Sequence, residues 1–526
     1  MTAAELFTDE LLARAGAVRE TGNRDAAVAA LEYDSRKALP GALYFALTGL
    51  HADGHDFITS AIENGARVIV HQNDIAEYNE DVFYLRVKDS RFAMSAISDA
   101  FYASPSKRLT VAGVTGTEGK SSTVYFIFQL LRLAGKKAGF ISTVQYSVDG
   151  TERWNTEHQT TPEAVLVHKR LAEMLENGCE YAVLEASSHG LSPRTNRMGN
   201  IAFDAGVMTN VTHEHLEFHG TWEQYRDDKA NLFRALDRSV NLGASAFGVV
   251  NADDPSAAYF AACSKRKTYT HSVKGGGADL LISGLSSYSR GSIYDVKVRS
   301  SGKTIHIEDR LPGAFNAGNV LASLLCVSNL LQIPVEELCC FVPKLKPVRG
   351  RMTAVDKGQS FEALVDYAHT PSSFETVLPP IRERAGKRGG RVISLFGSAG
   401  ERDTQKRALQ GRIAARYSDI IFLCDEDPRG EEPSAILEEI AEGVFSAPFG
   451  ECFPPDGFKR GVNLFLIAER PAAIRAAFSA AKPGDIVLLL GKGHENSIIY
   501  SNYTMKYDEI SEAENALLEL LGGRVV

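Results

Sequence analysis

The chain has 526 residues, too many for one hydrophobic core and enough for about two to four domains. Its 44% hydrophobic and 23% charged residues are the balance of a soluble globular protein. The net charge of −9, from 57 basic and 66 acidic residues, argues against nucleic acid as the main partner but leaves room for a local basic cleft holding an anionic metabolite. Seven scattered cysteines (179, 263, 326, 339, 340, 424 and 452) with no CxxC pair argue against a disulfide framework or a Cys-ligated zinc site, and fit a reducing cytoplasm. The segment MTAAELFTDELLARAG lacks a positive stretch followed by an apolar run, so no signal peptide is expected. No apolar stretch approaches the roughly 20 residues that span a bilayer, and a cytoplasmic protein without membrane insertion is the expectation.

The first hundred residues hold short strands (ALYFAL, ARVIVH, VFYLRV) and a helix around 57–65, with Ser104-Pro105-Ser106 as a linker. From 107 a β-loop-α rhythm begins: LTVAGVTG, KAGFIST, YAVLEAS, DAGVMTN and GVVNADD. Strand-length apolar runs followed by helices predict a parallel sheet covered on both faces, with ligands at the strands' C-terminal ends. The polar stretch 267–310, with the alternating SIYDVKVRS, predicts a small antiparallel excursion, and a helix follows near 316–331. KLKPVRGRM marks a second boundary, after which the rhythm resumes in ALVDYA, RVISLFGSAG, DIIFLCDEDP and DIVLLLGKGHE. The fold class expected is α/β in three domains: residues 1–105, a central phosphate-loop ATPase domain with a parallel sheet over 106–344, and a Rossmann-like domain over 345–526.

The most informative segment is LTVAGVTGTEGKSST at 109–123. An apolar strand breaks into a glycine loop, then Lys-Ser, then a helical pattern (Val124, Ile127, Phe128, Leu131). Gly116 and Gly119 let backbone N–H groups close around phosphate oxygens, and the helix adds its positive end. Lys120 would reach the β/γ-phosphates, and the Ser121 hydroxyl would ligate Mg²⁺. The match is not strict, because Val114 stands where the usual pattern has its first glycine.

Downstream, YAVLEASSHG ends its strand in Glu185, and DAGVMTNVTHEHLEFH leads to His215 and His219. A carboxylate and an imidazole at these strand ends suit a second divalent cation. HEHLEFH is not H-E-x-x-H and has no flanking cysteine, which disfavours zinc; a polar loop without chemistry is the plainer alternative. In TWEQYRDDKANLFRAL, Thr221 is a predicted N-cap with Gln224 completing a capping box. Trp222, Tyr225, Lys229, Leu232 and Leu236 share one helix face. Lys229 therefore sits on an apolar stripe. Snorkelling is the ordinary explanation. The sharper one is a lysine whose pKa is lowered by burial, so that CO₂ converts it to a carbamate, a carboxylate-like metal ligand beside Glu185 and His215.

These segments, with TTP (160–162), EASSHGL, LPGAFNAGN, GRM (350–352), DYAHTP, GSAGERDTQKR and DEDPRGEEP, resemble the Mur ligase family in order, from about residue 33 to 510. YDSRKALPGALYFALTGLHADGHDFI resembles that family's UDP-holding domain. The likeness is to the branch that adds a diamino acid to UDP-MurNAc-L-Ala-D-Glu. It implies an ADP-forming carbon–nitrogen ligase of peptidoglycan precursor synthesis, working through an acyl phosphate on small-molecule substrates; a monomer is the default expectation, which the sequence does not decide. By the same resemblance Thr115, Gly116, Thr117, Glu118, Gly119, Lys120 and Ser121 cradle ATP, Asn316 and Asn319 face adenine, Arg351 the phosphates and Asp366 the ribose. Ser35 contacts the UDP moiety, and Thr160, Thr161, Ser187 and Arg197 hold the muramyl-dipeptide. The metal set implied is Ser121, Glu185, His215 and carbamylated Lys229. Alternatives are another ligase of this superfamily, such as a folylpolyglutamate synthetase, or a non-catalytic nucleotide-binding regulator.

The chain departs from the family pattern in places. Glu118 replaces the usual Asn of GTNGK, two extra residues precede Arg197 so that Arg194 competes for its role, and 443–465 is longer than usual. Arg402, Asp425, Asp427, Arg429, Gly491 and Glu495 match the positions that select the incoming amino acid. Arg429 and Arg402 can each clamp a carboxylate bidentately, and Glu495 can hold an ammonium. The family motif for meso-diaminopimelate is D-x-N-P-R, whereas this chain reads DEDPR. Arg429 speaks for diaminopimelate, and the extra charge of Asp427 speaks for L-lysine or L-ornithine.

Overall fold

The computed structural model describes residues 1–522 apart from 50–51, 76, 156, 158, 213–215, 289–290, 312, 449–452 and 455. Among the described residues the strands form three sheets and a two-stranded ribbon. The first sheet runs Ala17–Gly22, Phe83–Val87, Ala66–His71, Ala42–Phe45, Ala30–Glu32. Its first pair is antiparallel and the rest parallel. Strand Ala66–His71 reads ARVIVH and is buried on both faces after Arg67, as a continuous apolar run requires.

The second sheet has at its centre five parallel strands, in the order Ala138–Ile141, Tyr181–Glu185, Thr110–Thr115, Ala205–Met208, Phe247–Asn251. The first strand in sequence thus lies in the middle, and the connections leave it to opposite sides. That is the topological switch point where open α/β sheets bind ligands. The polar stretch after 267 differs from expectation at its start. Lys267–Ser272 pairs parallel with Phe247–Asn251, and Leu280–Tyr288 enters parallel to Lys267–Ser272. Alternation marks a strand but does not set the direction of its pairing.

The third sheet runs Thr353–Val355, Glu362–Asp366, Ile486–Leu490, Val392–Phe396, Ile420–Leu423, Leu464–Leu466, antiparallel at the first pair and parallel thereafter. The chain falls into two compact units. One comprises Met1–Ser283, Val296–Ile305 and Gly318–Val342; the other comprises Gly284–Asp295, His306–Ala317 and Pro343–Val526. No described helix is long and apolar enough to cross a membrane.

Helix Trp222–Leu236 packs on the back of the central strand, and one glycine makes room for it. A Cβ at Gly113 would sit 2.5 Å from Leu232 Cδ1 and 2.8 Å from a Phe203 ring carbon. Leu232, Phe233 and Leu236 are fully buried there, each contributing about 1.5–3 kcal/mol through loss of apolar surface to water. Thr221 caps the helix by accepting from the Gln224 N–H. The Gln224 side chain does not complete the expected capping box: its amide donates to Asp228 one turn on, at 3.0 Å. An i,i+4 acceptor on the same face has won over the helix end.

Candidate functional site

At the C-terminal end of strand Thr110–Thr115 the chain turns through Gly116 and Gly119, with φ of +149° and +80°. A Cβ at Gly116 would collide with Thr209 Oγ1, and one at Gly119 would lie 2.5 Å from Asn319 Oδ1. The neighbouring strand end holds the loop in shape. Thr209 Oγ1 and Asn210 Nδ2 donate to the Glu118 carbonyl at 2.6 and 3.1 Å, and the Glu118 N–H donates to Asn210 Oδ1 at 2.9 Å. Helix Lys120–Leu133 starts directly after Gly119, so its unpaired N–H groups open towards the loop. Lys120 Nζ donates to the Thr117 carbonyl at 2.7 Å. Thr115 Oγ1 is buried and has no hydrogen-bond partner among the described residues.

Strand Tyr181–Glu185 delivers a carboxylate to the same place. Ser121 Oγ donates to Glu185 at 2.9 and 3.1 Å, and Thr143 donates from its N–H at 2.8 Å and its hydroxyl at 2.9 Å. Thr143 was not among the expected residues. It ends the segment KAGFIST, and only the pairing of that strand with Tyr181–Glu185 brings it to the carboxylate. Serine hydroxyl and carboxylate form a hard-oxygen pair of the kind Mg²⁺ takes.

Lys229 comes up from the opposite side. It is 1% exposed, its Nζ donates to the Gly116 carbonyl at 2.6 Å, and the same atom lies 4.4 Å from the Tyr225 ring centroid. Tyr225 itself meets Thr117 Oγ1 at 3.1 Å. Snorkelling is therefore excluded, because the side chain ends under the loop rather than at solvent. His215 lies outside the described residues. His219 is committed elsewhere: its ring pairs with Asp228 Oδ2 at 2.7 Å and Ser188 Oγ at 3.0 Å.

Beside Glu185 a second polar cluster forms. Thr161 Oγ1 donates to the Glu185 carbonyl at 3.0 Å and receives the Ser187 N–H and hydroxyl, both at 3.0 Å. Arg197 donates to the Thr161 carbonyl at 2.9 Å and to Glu163 at 3.0 Å, and Arg91 reaches Glu163 at 3.2 Å. Arg194 points elsewhere, donating to the Phe218 carbonyl at 2.8 Å. The two extra residues thus leave Arg197 in the cluster. Thr160 is half-buried beside it, and Ser35 is buried in a short 3₁₀ turn, its carbonyl accepting from Asn64 at 3.0 Å. Asn316 and Asn319 lie buried in the first two turns of helix Phe315–Leu331.

In the second unit, Asp366 ends its strand buried, accepting the Met352 and Ala368 N–H groups at 2.7 and 2.8 Å. Burial raises its pKa against the lowering charge of Arg351, whose guanidinium lies 4.6 Å from the Tyr367 ring centroid. Asp425, Asp427 and Arg429 follow strand Ile420–Leu423, and Gly491 to Glu495 follow Ile486–Leu490. Burial pushes the Asp425 carboxyl up to about 6, and Tyr500 donates to it at 3.1 Å. Arg429 holds φ +55°; its N–H donates to the Ile499 carbonyl at 2.9 Å, and its Nε is buried without a hydrogen-bond partner among the described residues. Arg402 is exposed. Gly491 has φ +102° and passes close to Glu426. Lys492, absent from the expected set, pairs with both Asp427 and Glu495. A lysine directly behind the apolar run DIVLLLG was the signal for it.

A glycine loop at the head of a parallel sheet, flanked by a hydroxyl, a carboxylate and a buried lysine, defines the class of phosphate-loop nucleotide enzymes. Comparison with known proteins narrows the class. The Mur ligase family model headed catalytic domain matches residues 27–102, the Mur ligase middle domain 114–327, and the Mur ligase glutamate ligase domain 350–493. The UDP-N-acetylmuramyl-tripeptide synthetase of Treponema denticola is 51% identical over 520 residues, covering 94% of this chain and 95% of its own. The UDP-N-acetylmuramoyl-L-alanyl-D-glutamate–2,6-diaminopimelate ligase of Geobacillus kaustophilus is 35% identical over 503 residues, covering 95% and 97%. The chain belongs to the Mur ligase family. A MurF ligase from Thermotoga maritima solved with ADP shares the fold at a TM-score of 0.62 and 20% identity, covering 94% of this chain and 98% of its own.

Proposed function

We propose that the protein is an ATP-dependent ligase that joins a diamino acid to the D-Glu carboxylate of UDP-MurNAc-L-Ala-D-Glu in peptidoglycan precursor synthesis. The observation that carries this reading is the convergence of Lys120, Ser121, Glu185 and Lys229 on one loop, in a chain half identical to a tripeptide synthetase. A carboxylate is a poor electrophile. Its oxygen attacks the γ-phosphorus and ADP leaves; the amine then attacks the acyl carbon, and phosphate leaves with the carboxylate oxygen as the proton passes from nitrogen. The first step brings two anions together, so cationic groups must offset their repulsion.

In this reading Lys120 meets the β/γ-phosphates, and Ser121 with Glu185 would hold Mg²⁺. Lys229 as a carbamate would serve a second Mg²⁺ with His215. Bound Mg²⁺ would supply charge neutralisation at the phosphates. Thr161, Ser187 and Arg197 hold the muramyl-dipeptide, and Asp425, Asp427, Arg429 and Glu495 the diamino acid. The test is phosphate release from ATP with UDP-MurNAc-L-Ala-D-Glu and, in turn, lysine, ornithine and diaminopimelate. Release that needs both the UDP-dipeptide and one of these amines is expected; release indifferent to the UDP-dipeptide would overturn the reading.

The unpartnered Nε of Arg429 suits a carboxylate of the incoming amino acid. Arg429→Ala is expected to raise the KM for the amino acid at least tenfold while that for ATP stays within about twofold, since a charge-assisted pair contributes about 1.5–3 kcal/mol. Steady-state kinetics with each substrate varied checks it, and equal changes in both KM values would count against the role.

A further inference from the structure

Lys492 follows the apolar strand Ile486–Leu490 and its side chain is 0% exposed. Its Nζ donates to Asp427 Oδ1 at 2.9 Å and to Glu495 Oε2 at 2.6 Å. Each carboxylate is held a second time: Asp427 Oδ1 accepts the Ile499 N–H at 2.9 Å, and Glu495 Oε1 accepts the Tyr367 hydroxyl at 3.2 Å. Burial lowers the lysine's pKa, but the charges of Glu495 and Asp427 outweigh that and raise it, so the group is an ammonium at neutral pH. Asp427 is therefore not a bare negative charge at the strand end. It is one member of a triad in which two carboxylates share one cation.

We propose that Lys492 is a specificity-determining residue for the diamino acid: it fixes Asp427 and Glu495 in place and offsets one of their two charges, and so sets how well a side chain with a second carboxylate competes with one bearing only an ammonium. This rests on the reading that these strand ends receive the diamino acid. With Lys492 the triad sums to one negative charge, which draws a distal ammonium and repels a distal carboxylate only weakly. Without Lys492 the sum is two negative charges; without Asp427 it is zero; without both it returns to one. With Lys492 fully buried and Asp427 largely so, these steps act on a neighbouring carboxylate more strongly than they would in bulk water.

The charge sum, not either residue alone, therefore orders the variants. Competition assays with lysine, ornithine and diaminopimelate are made on wild type, Lys492→Met, Asp427→Asn and the double variant. The diaminopimelate-to-lysine ratio of kcat/KM is expected to fall about tenfold in Lys492→Met, to rise about tenfold in Asp427→Asn, and to return near wild type in the double variant. Should Lys492→Met fail to fold, the pair Asp427→Asn and Lys492→Met/Asp427→Asn isolates the lysine charge, because the second must show about a tenfold lower ratio than the first. A merely structural Lys492 would lower turnover of all three amino acids alike, and a ratio constant within about twofold across the variants overturns the proposal. No ligation by wild type with any of the three would instead overturn the assignment of these strand ends to the diamino acid.

Discussion

Replacing Lys120 with alanine is expected to lower ATP-dependent ligation at least a hundredfold while leaving the fold intact. The loop Thr115–Ser121 contains one lysine, and its ammonium rests on the Thr117 carbonyl of its own turn. That contact is local and half-exposed, so truncation opens no cavity in the buried core. The charge matters when negative charge gathers on the transferring phosphoryl group, where a positioned cation is worth about 10²–10³ in rate. The loss should fall mainly on kcat. A variant retaining more than about a tenth of the wild-type rate would show that the loop's backbone and metal carry the phosphates without it.

Lys229→Ala is expected to be at least as damaging and, unlike Lys120→Ala, partly reversible. Lys229 is buried beneath Gly116 in a position where its terminal atom reaches the underside of the loop. If the working form is a carbamate, made when the amine attacks CO₂ and releases a proton, alanine removes a metal-ligating carboxylate and leaves a hole of its shape. Formate or acetate in solution should then recover a measurable fraction of the rate. Intact-mass measurement under native conditions in bicarbonate should find an added CO₂ on wild type that is missing in Lys229→Ala. An unmodified lysine in fully active enzyme, with no rescue, would contradict the carbamate.

The central strand, its loop and the following helix were legible because glycine, lysine and an apolar period occur within fifteen residues of one another. The burial of Lys229 was legible for the same reason, as it shares a helix face with Leu232 and Leu236. What escaped the sequence was every partner fixed by register between strands. Thr143 meets Glu185 across 42 positions because their parallel strands pair, and Lys492 meets Asp427 across 65 from strands that flank Val392–Phe396 on either side; only the order of strands in the sheets brings these ends together. The charge of Asp427, read alone, argued for an amino acid without a second carboxylate. Read with Lys492 beside it, half of that argument is cancelled, which moves the question from one residue to the sum of three. Gln224 fails as a capping partner for a local reason: its side-chain amide donates instead to Asp228 one turn on.

In the proposed reaction the D-Glu carboxylate is activated by phosphorylation before the amine attacks. UDP-MurNAc-L-Ala-D-Glu carrying ¹⁸O at both oxygens of the reacting carboxylate, turned over with ATP and the accepted diamino acid, tests it directly by mass spectrometry of the released phosphate. One ¹⁸O atom per phosphate is predicted, because the oxygen that attacks the γ-phosphorus leaves with it. Phosphate free of label, released at the rate of product formation, would contradict the acyl phosphate.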